Sequence, residues 1–129
     1  MSQNALVLFA HGSRNAAWRA PFEAIAAKVR ASTDVRVELA FLELMQPTLP
    51  DVLRGLADDG VIHISIVPLF FGLGNHVAHD LGELTDTFLR EYPQIKITTA
   101  APLGESDVVL DAMAGYAVAQ LSPPVHTDL

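Results

Sequence analysis

Two histidines and a glutamate, far apart in the chain, each stand directly after an apolar run: His11 in AHGSR, Glu43 in FLELMQPTLPD and His76 in VPLFFGLGNHVAHD. Two imidazoles and a carboxylate brought to one place suit a borderline divalent metal such as Fe, Co, Ni or Zn. The same groups also serve as acids and bases near neutral pH. Each has a plainer role when taken alone. A histidine at a strand end is often held by a loop carbonyl, and a lone Glu43 would be a solvated loop carboxylate or a helix-cap partner. Three together are worth pursuing if the fold brings them to one edge.

The neighbours of these residues extend the pattern. Gly12, Ser13 and Arg14 make a turn whose amides could face a phosphate or carboxylate. It is no P-loop, because GxxxxGK[ST] is absent, as is GxGxxG. A hydroxyl-rich flavodoxin-type loop and the acidic pair of a receiver domain are missing too. Ser13 beside His11 lacks a nucleophile elbow and a third triad member, so capping the next turn is its simpler role. Phe70, Phe71 and Leu73, with Gly72 and Gly74, form an apolar glycine-bearing loop just before His76. Such a loop suits a flat hydrophobic macrocycle, the plainer alternative being a buried strand extension for Phe70. Met45 and Trp18 either line the same pocket or pack in the core.

The remaining histidines carry less signal. His79 lies three residues after His76, with Asp80 at four, and would share its helix face. An exposed polar face is favoured there over a second ligand. His63, among β-branched residues, is expected in the core or on a sheet face, and His126 belongs to the tail.

Elements must position these groups, and the periodicity supplies them. Residues 5–10 are a nearly all-apolar strand, and 21–31 have helical spacing at Phe22, Ile25, Ala26 and Val29. Pro21 suits the first turn of that helix, so Asn15 to Arg19 would form a separate turn before it. Residues 35–42 make a second strand. Thr48 is a fitting N-cap for the next helix, with Pro50 in its first turn and Gly60 after its end. The β-branched run 61–67 is the third strand. A loop from Pro68 to Asn75, a helix from about His76 to Tyr92, the strand IKITTA and a helix over 107–121 follow. The tail 122–129 is expected to be disordered.

Strands alternating with helices imply a parallel four-stranded sheet with helices on both faces, a three-layer α/β single domain over 1–121 of flavodoxin-like type. Ligands of such sheets sit beyond the carboxyl ends of the strands. His11, Glu43 and His76 all fall there.

Composition narrows the partners. The 129 residues are 50% hydrophobic and 18% charged, as in a globular chain. No apolar run approaches the roughly 18 residues of a membrane span. The absence of cysteine removes disulfides, thiolate metal sites and cysteine nucleophiles. With no basic n-region at the start, a cytoplasmic location is expected. A net charge of −7 and no basic run argue against nucleic acid. An anionic small ligand would need a local basic patch, for which Arg14, Arg19 and Arg54 are candidates.

AHGSR, ELMQPTLPD and VPLFFGLGNHVAHDL, in that order and spacing, resemble the CbiX/SirB class II chelatases. The likeness covers roughly residues 5–118. It implies a chelatase-like domain that inserts cobalt or iron, or in close relatives nickel, into sirohydrochlorin in cobalamin or siroheme biosynthesis. The metal would be a substrate, with no permanent cofactor. His11 and His76 match the metal-binding histidines and Glu43 the active-site carboxylate, while Gly12, Ser13, Arg14, Phe71 and Gly74 are candidate contacts to the macrocycle. The short form implies a homodimer. Ala10 stands where many relatives have Gly, and Asp80 is followed by Leu81-Gly82 rather than Ile-Pro. A non-catalytic metal or tetrapyrrole carrier would use the same residues.

Overall fold

The structure is a computed structural model and describes residues 3–121; His126 and the tail 122–129 lie outside them. Four strands, β1 (Asn4–Ala10), β2 (Arg36–Phe41), β3 (His63–Pro68) and β4 (Lys96–Thr99), form one parallel sheet in the order β2-β1-β3-β4. The central pair is the most apolar, because a parallel strand flanked on both sides must be buried on both faces. Alternate residues of β1 then serve different layers. Ala5, Val7 and Phe9 join one core cluster, and Leu8 and Ala10 the other.

Helices α1 (Arg19–Ser32), α2 (Leu49–Asp58), α3 (Gly74–Glu91) and α4 (Asp107–Ala119) alternate with the strands. Helices α2 and α3 cover the face of Val7, Phe9 and Ile66, where α2 buries Leu49, Val52, Leu53 and Leu56. Each such side chain contributes roughly 1.5–3 kcal/mol on burial. Helix α1 covers the opposite face over β1 and β2 through Phe22, Ala26 and Val29. The three-layer arrangement therefore holds, but α4 buries none of its residues. Among the described residues, nothing beyond α1 covers the second face of β3 and β4: His63, Ser65, Lys96 and Thr98 are all exposed.

Local signals work as the sequence implies. Thr48 Oγ1 accepts from the Asp51 amide to cap α2, and Gly60 follows its end at φ +87°. A 3-10 turn at Ala16–Trp18 precedes α1, which leaves Pro21 in the first turn of that helix. Helix α3 starts two residues earlier than predicted, at Gly74, whose φ of +68° lets the chain turn into it. His63 is the first residue of β3 and lies on the exposed sheet face, not in the core.

Candidate functional site

At the carboxyl edge the sheet ladder does not stop with the strands. The Leu42 amide donates to Ala10 O at 2.9 Å, and the Glu43 amide to His11 O at 3.2 Å. These two bonds carry the β1–β2 register past both strand ends, so His11 and Glu43 emerge side by side. Gly12 makes the approach possible. Its φ is +96°, and a Cβ built there would lie 1.9 Å from Glu43 O. Only glycine fits. The chain then reverses at Leu44, a non-glycine residue at φ +67°, directly after Glu43.

The side chains meet as the backbone dictates. His11 Nε2 is 3.7 Å from Glu43 Oε2, and each side chain is about half exposed. His11 Nδ1 lies 3.2 Å from Gly12 O. In the tautomer that protonates Nδ1 and donates to that carbonyl, Nε2 keeps its lone pair facing the carboxylate and solvent. Phe70 packs edge-on to the imidazole at 5.8 Å between centroids and stacks on Phe9 at 5.5 Å. An apolar wall thus fixes one side of His11 while the other stays open. A donor and a carboxylate within one ion's reach, open to solvent, can hold a divalent cation or pass a proton to it.

His76 sits in the first turn of α3 at the same edge of the sheet and is exposed. It has no side-chain bond to His11 or Glu43. Among the described residues, no group of three His, Asp or Glu side chains converges as for a metal ion. The structure therefore brings together two of the three predicted groups and leaves His76 apart, reached by way of the loop carrying Phe71. Phe71 is 61% exposed, free to meet a ligand's face. His79 pairs with Glu83 at 3.3 Å on the surface of α3, as a polar helix face does. Asp80 lines a groove between α2 and α3 together with Arg54.

The smaller assignments divide. Ser13 Oγ accepts from the Asn15 amide at 3.0 Å, which is the capping role. Arg14 is exposed at the same turn. Arg19 is engaged elsewhere: its guanidinium donates to Gln46 O and to Glu23, and lies over the Phe41 ring. It braces the loop between Glu43 and α2 and is not free to meet a ligand. Arg54 pairs with Asp51 one turn away on α2. Trp18 packs tilted against Phe22, and Met45 packs in the α1-side cluster, so neither lines the edge.

Sequence reasoning missed Gly104. A Cβ there would fall 2.4 Å from Phe71 O, and the amides of Leu103 and Gly104 donate to Phe70 O and Phe71 O at 2.9 and 2.8 Å. The segment after β4 is thereby strapped to the loop that presents Phe71. The proline before it and the acidic residue after it mark only a turn, so the close approach had no local signal. A groove of about 850 Å³ between α1 and β3 lies away from this edge.

The sequence profile of the CbiX family matches residues 5–117. The chain is 30% identical over 112 residues to the sirohydrochlorin ferrochelatase of Bacillus subtilis, covering 86% of this chain and 43% of that protein. It is 31% identical over 108 residues to the sirohydrochlorin cobaltochelatase of Sulfurisphaera tokodaii, covering 84% and 86%. Among solved structures, SirB from Bacillus subtilis with Fe³⁺ superposes with a TM-score of 0.80 at 27% identity, over 96% of this chain and 49% of that one. The chain thus spans less than half the length of the Bacillus ferrochelatase but most of the Sulfurisphaera protein. The profile covers nearly the whole α/β unit, both loops that pair His11 with Glu43 included, and the chain belongs to the CbiX family.

Proposed function

We propose that the chain inserts a divalent metal, Co²⁺ or Fe²⁺, into sirohydrochlorin. The observation that carries this reading is the exposed His11–Glu43 pair, 3.7 Å apart at the carboxyl edge of a CbiX-family sheet. Relatives named for the same substrate with both iron and cobalt support the choice of metals.

Insertion exchanges one M²⁺ for two pyrrole N–H protons, so the site must hold a metal loosely and take up protons. Neutral His11 supplies a lone pair at Nε2, and His76 a second from α3 once the macrocycle and ion lie between them. Glu43 accepts one proton from the ring, and the other leaves to solvent as the metal transfers. Phe71 offers an apolar surface to the face of the ring, with Gly74 giving it room, and Gly12 and Ser13 present backbone amides to a ring carboxylate. Arg14 offsets part of the acidic net charge for the same carboxylates. Because protonated imidazoles bind no metal, activity declines with acidification. A second copy of the chain completes the cleft by pairing.

Absorbance of sirohydrochlorin with Co²⁺ or Fe²⁺ at catalytic protein amounts tests the reading. A rate well above the spontaneous one is expected, reduced about 100-fold or more in His11→Ala and less in His76→Ala. Stoichiometric binding without acceleration would make the protein a carrier. Full activity in both variants would remove these residues from the site. Rates must be compared across metals, since bare affinity follows the Irving–Williams order whatever the physiological ion.

A further inference from the structure

Glycine stands at eight positions, and at six of them an added Cβ would meet nothing within 4 Å. The two exceptions each face a backbone carbonyl. A Cβ on Gly12 would lie 1.9 Å from Glu43 O, and one on Gly104 would lie 2.4 Å from Phe71 O. Gly12 also needs its left-handed φ of +96°, whereas Gly104 has no positive φ and is glycine for proximity alone. One close approach holds the loop of the carboxylate. The other holds the loop of the exposed aromatic ring.

The backbone leading to that ring is pinned on both flanks. On the β1 side Leu69 N donates to Phe9 O at 2.7 Å. On the β4 side Ala100 N donates to Ile66 O at 2.9 Å, and the Leu103 and Gly104 amides continue the series to Phe70 O and Phe71 O. Gly72 and Gly74, which follow, have open space around them. Gly104 reaches the ring as well: a Cβ there would stand 3.3 Å from both Cδ2 and Cε2 of Phe71. One edge of the ring thus borders the space that a side chain at 104 would fill, while 61% of Phe71 stays exposed. Phe70, one residue earlier, packs edge-on to His11, so this seat and the imidazole share one frame.

We propose that Gly104 is a positioning residue for the tetrapyrrole: by having no side chain it seats Phe71 at the height where the ring meets the macrocycle. This rests on the chelatase reading above, with Phe71 as a contact to sirohydrochlorin. Gly104 itself touches neither substrate nor metal and acts through Phe71. A methyl at 104 overlaps a backbone oxygen, which no rotamer change relieves, so the Phe71 loop must move. A displaced apolar contact weakens ground and transition states alike and is read in KM, not kcat.

The test measures the Kd of metal-free sirohydrochlorin by absorbance titration, and KM and kcat for Co²⁺ insertion. Wild type, Gly104→Ala, Phe71→Ala and the double variant are compared. Gly104→Ala should raise Kd and KM about fivefold, the scale of one aromatic contact, with kcat within about twofold of wild type. The double variant should bind about as well as Phe71→Ala alone, because a seat matters only while the ring is present. Wild-type affinity in Gly104→Ala overturns the proposal. So does a loss confined to kcat, and so do losses that multiply in the double variant. A second measurement needs no change at Gly104. Relative to the sheet amides, hydrogen exchange at the Gly104 amide should slow when sirohydrochlorin is added to wild type, and should not slow in Phe71→Ala. Equal exchange with and without sirohydrochlorin in wild type overturns the proposal. Binding without faster metallation would sink the chelatase reading and leave the seat, which is judged on Kd. Faster metallation with unchanged affinity in Gly104→Ala would do the reverse, and no binding by the wild type overturns both.

Discussion

The two edges of the sheet use their polar side chains in opposite ways. At the amino edge, Arg36 opens β2 and bonds Glu38 on its own strand at 2.8 Å and Asp59 at the end of α2 at 2.6 Å. These hydrogen bonds, to Glu38 first and then Asp59, hold the guanidinium above its ordinary pKa. Charge there is spent on charge. At the carboxyl edge, His11, Glu43, Arg14 and His76 face solvent, and it is the backbone that is tied down: Glu43 N to His11 O, Leu69 N to Phe9 O, Gly104 N to Phe71 O. Saturated side chains on an ordinary backbone hold a fold together. Reactive side chains on an over-determined backbone are what a binding edge requires.

Substitutions at the two edges should separate accordingly. Next to the loss expected for His11→Ala, the largest effect is expected for Glu43→Gln, which keeps the shape but removes the proposed proton acceptor: metallation should slow by about 100-fold while the thermal midpoint stays near wild type. A rate within twofold of wild type would take Glu43 out of the chemistry. Gly12→Ala comes next and should act through structure. A left-handed backbone carrying a Cβ costs about 1–3 kcal/mol before the clash with Glu43 O is counted, so both the midpoint and the rate should drop. Arg14→Ala should leave stability alone and raise KM for the tetrapyrrole about two- to fivefold, with a shallower dependence on salt. At the amino edge, Arg36→Ala should change no rate and lower stability by at most about 1 kcal/mol, since the pairs it makes are exposed. Loss of activity there would erase the contrast between the edges.

Much of this was legible in the chain. Apolar runs of four to seven residues, broken by segments at helical spacing, fixed the order of elements because buried parallel strands need apolar faces on both sides. Thr48, Pro21 and Gly60 marked helix ends for local reasons that no distant contact alters. His11, Glu43 and His76 fell at one edge because topology, not packing, decides which ends of parallel strands coincide. What escaped depended on contacts between segments remote in sequence. Nothing near Gly12 announces that Glu43 O will lie against it, and nothing near Arg19 announces Gln46. For His63 the sequence left core and sheet face open, and the fold decides for the sheet face. Helix α4 is apolar over most of its surface, yet it buries none of its residues against the sheet.

The ladder bonds that run beyond β1 and β2 set an interval. Because His11 and Glu43 ride on paired backbone, their spacing is fixed by the separation of neighbouring strands, about 4.8 Å, and not by the breathing of a loop. Under the proposed function, ions of different radius would meet the same frame, with only side-chain rotamers left to adjust to them. If His11 and Glu43 hold the ion as proposed, retuning this edge toward another ion would mean changing the length of the side chain at position 43, with the loops left as they are.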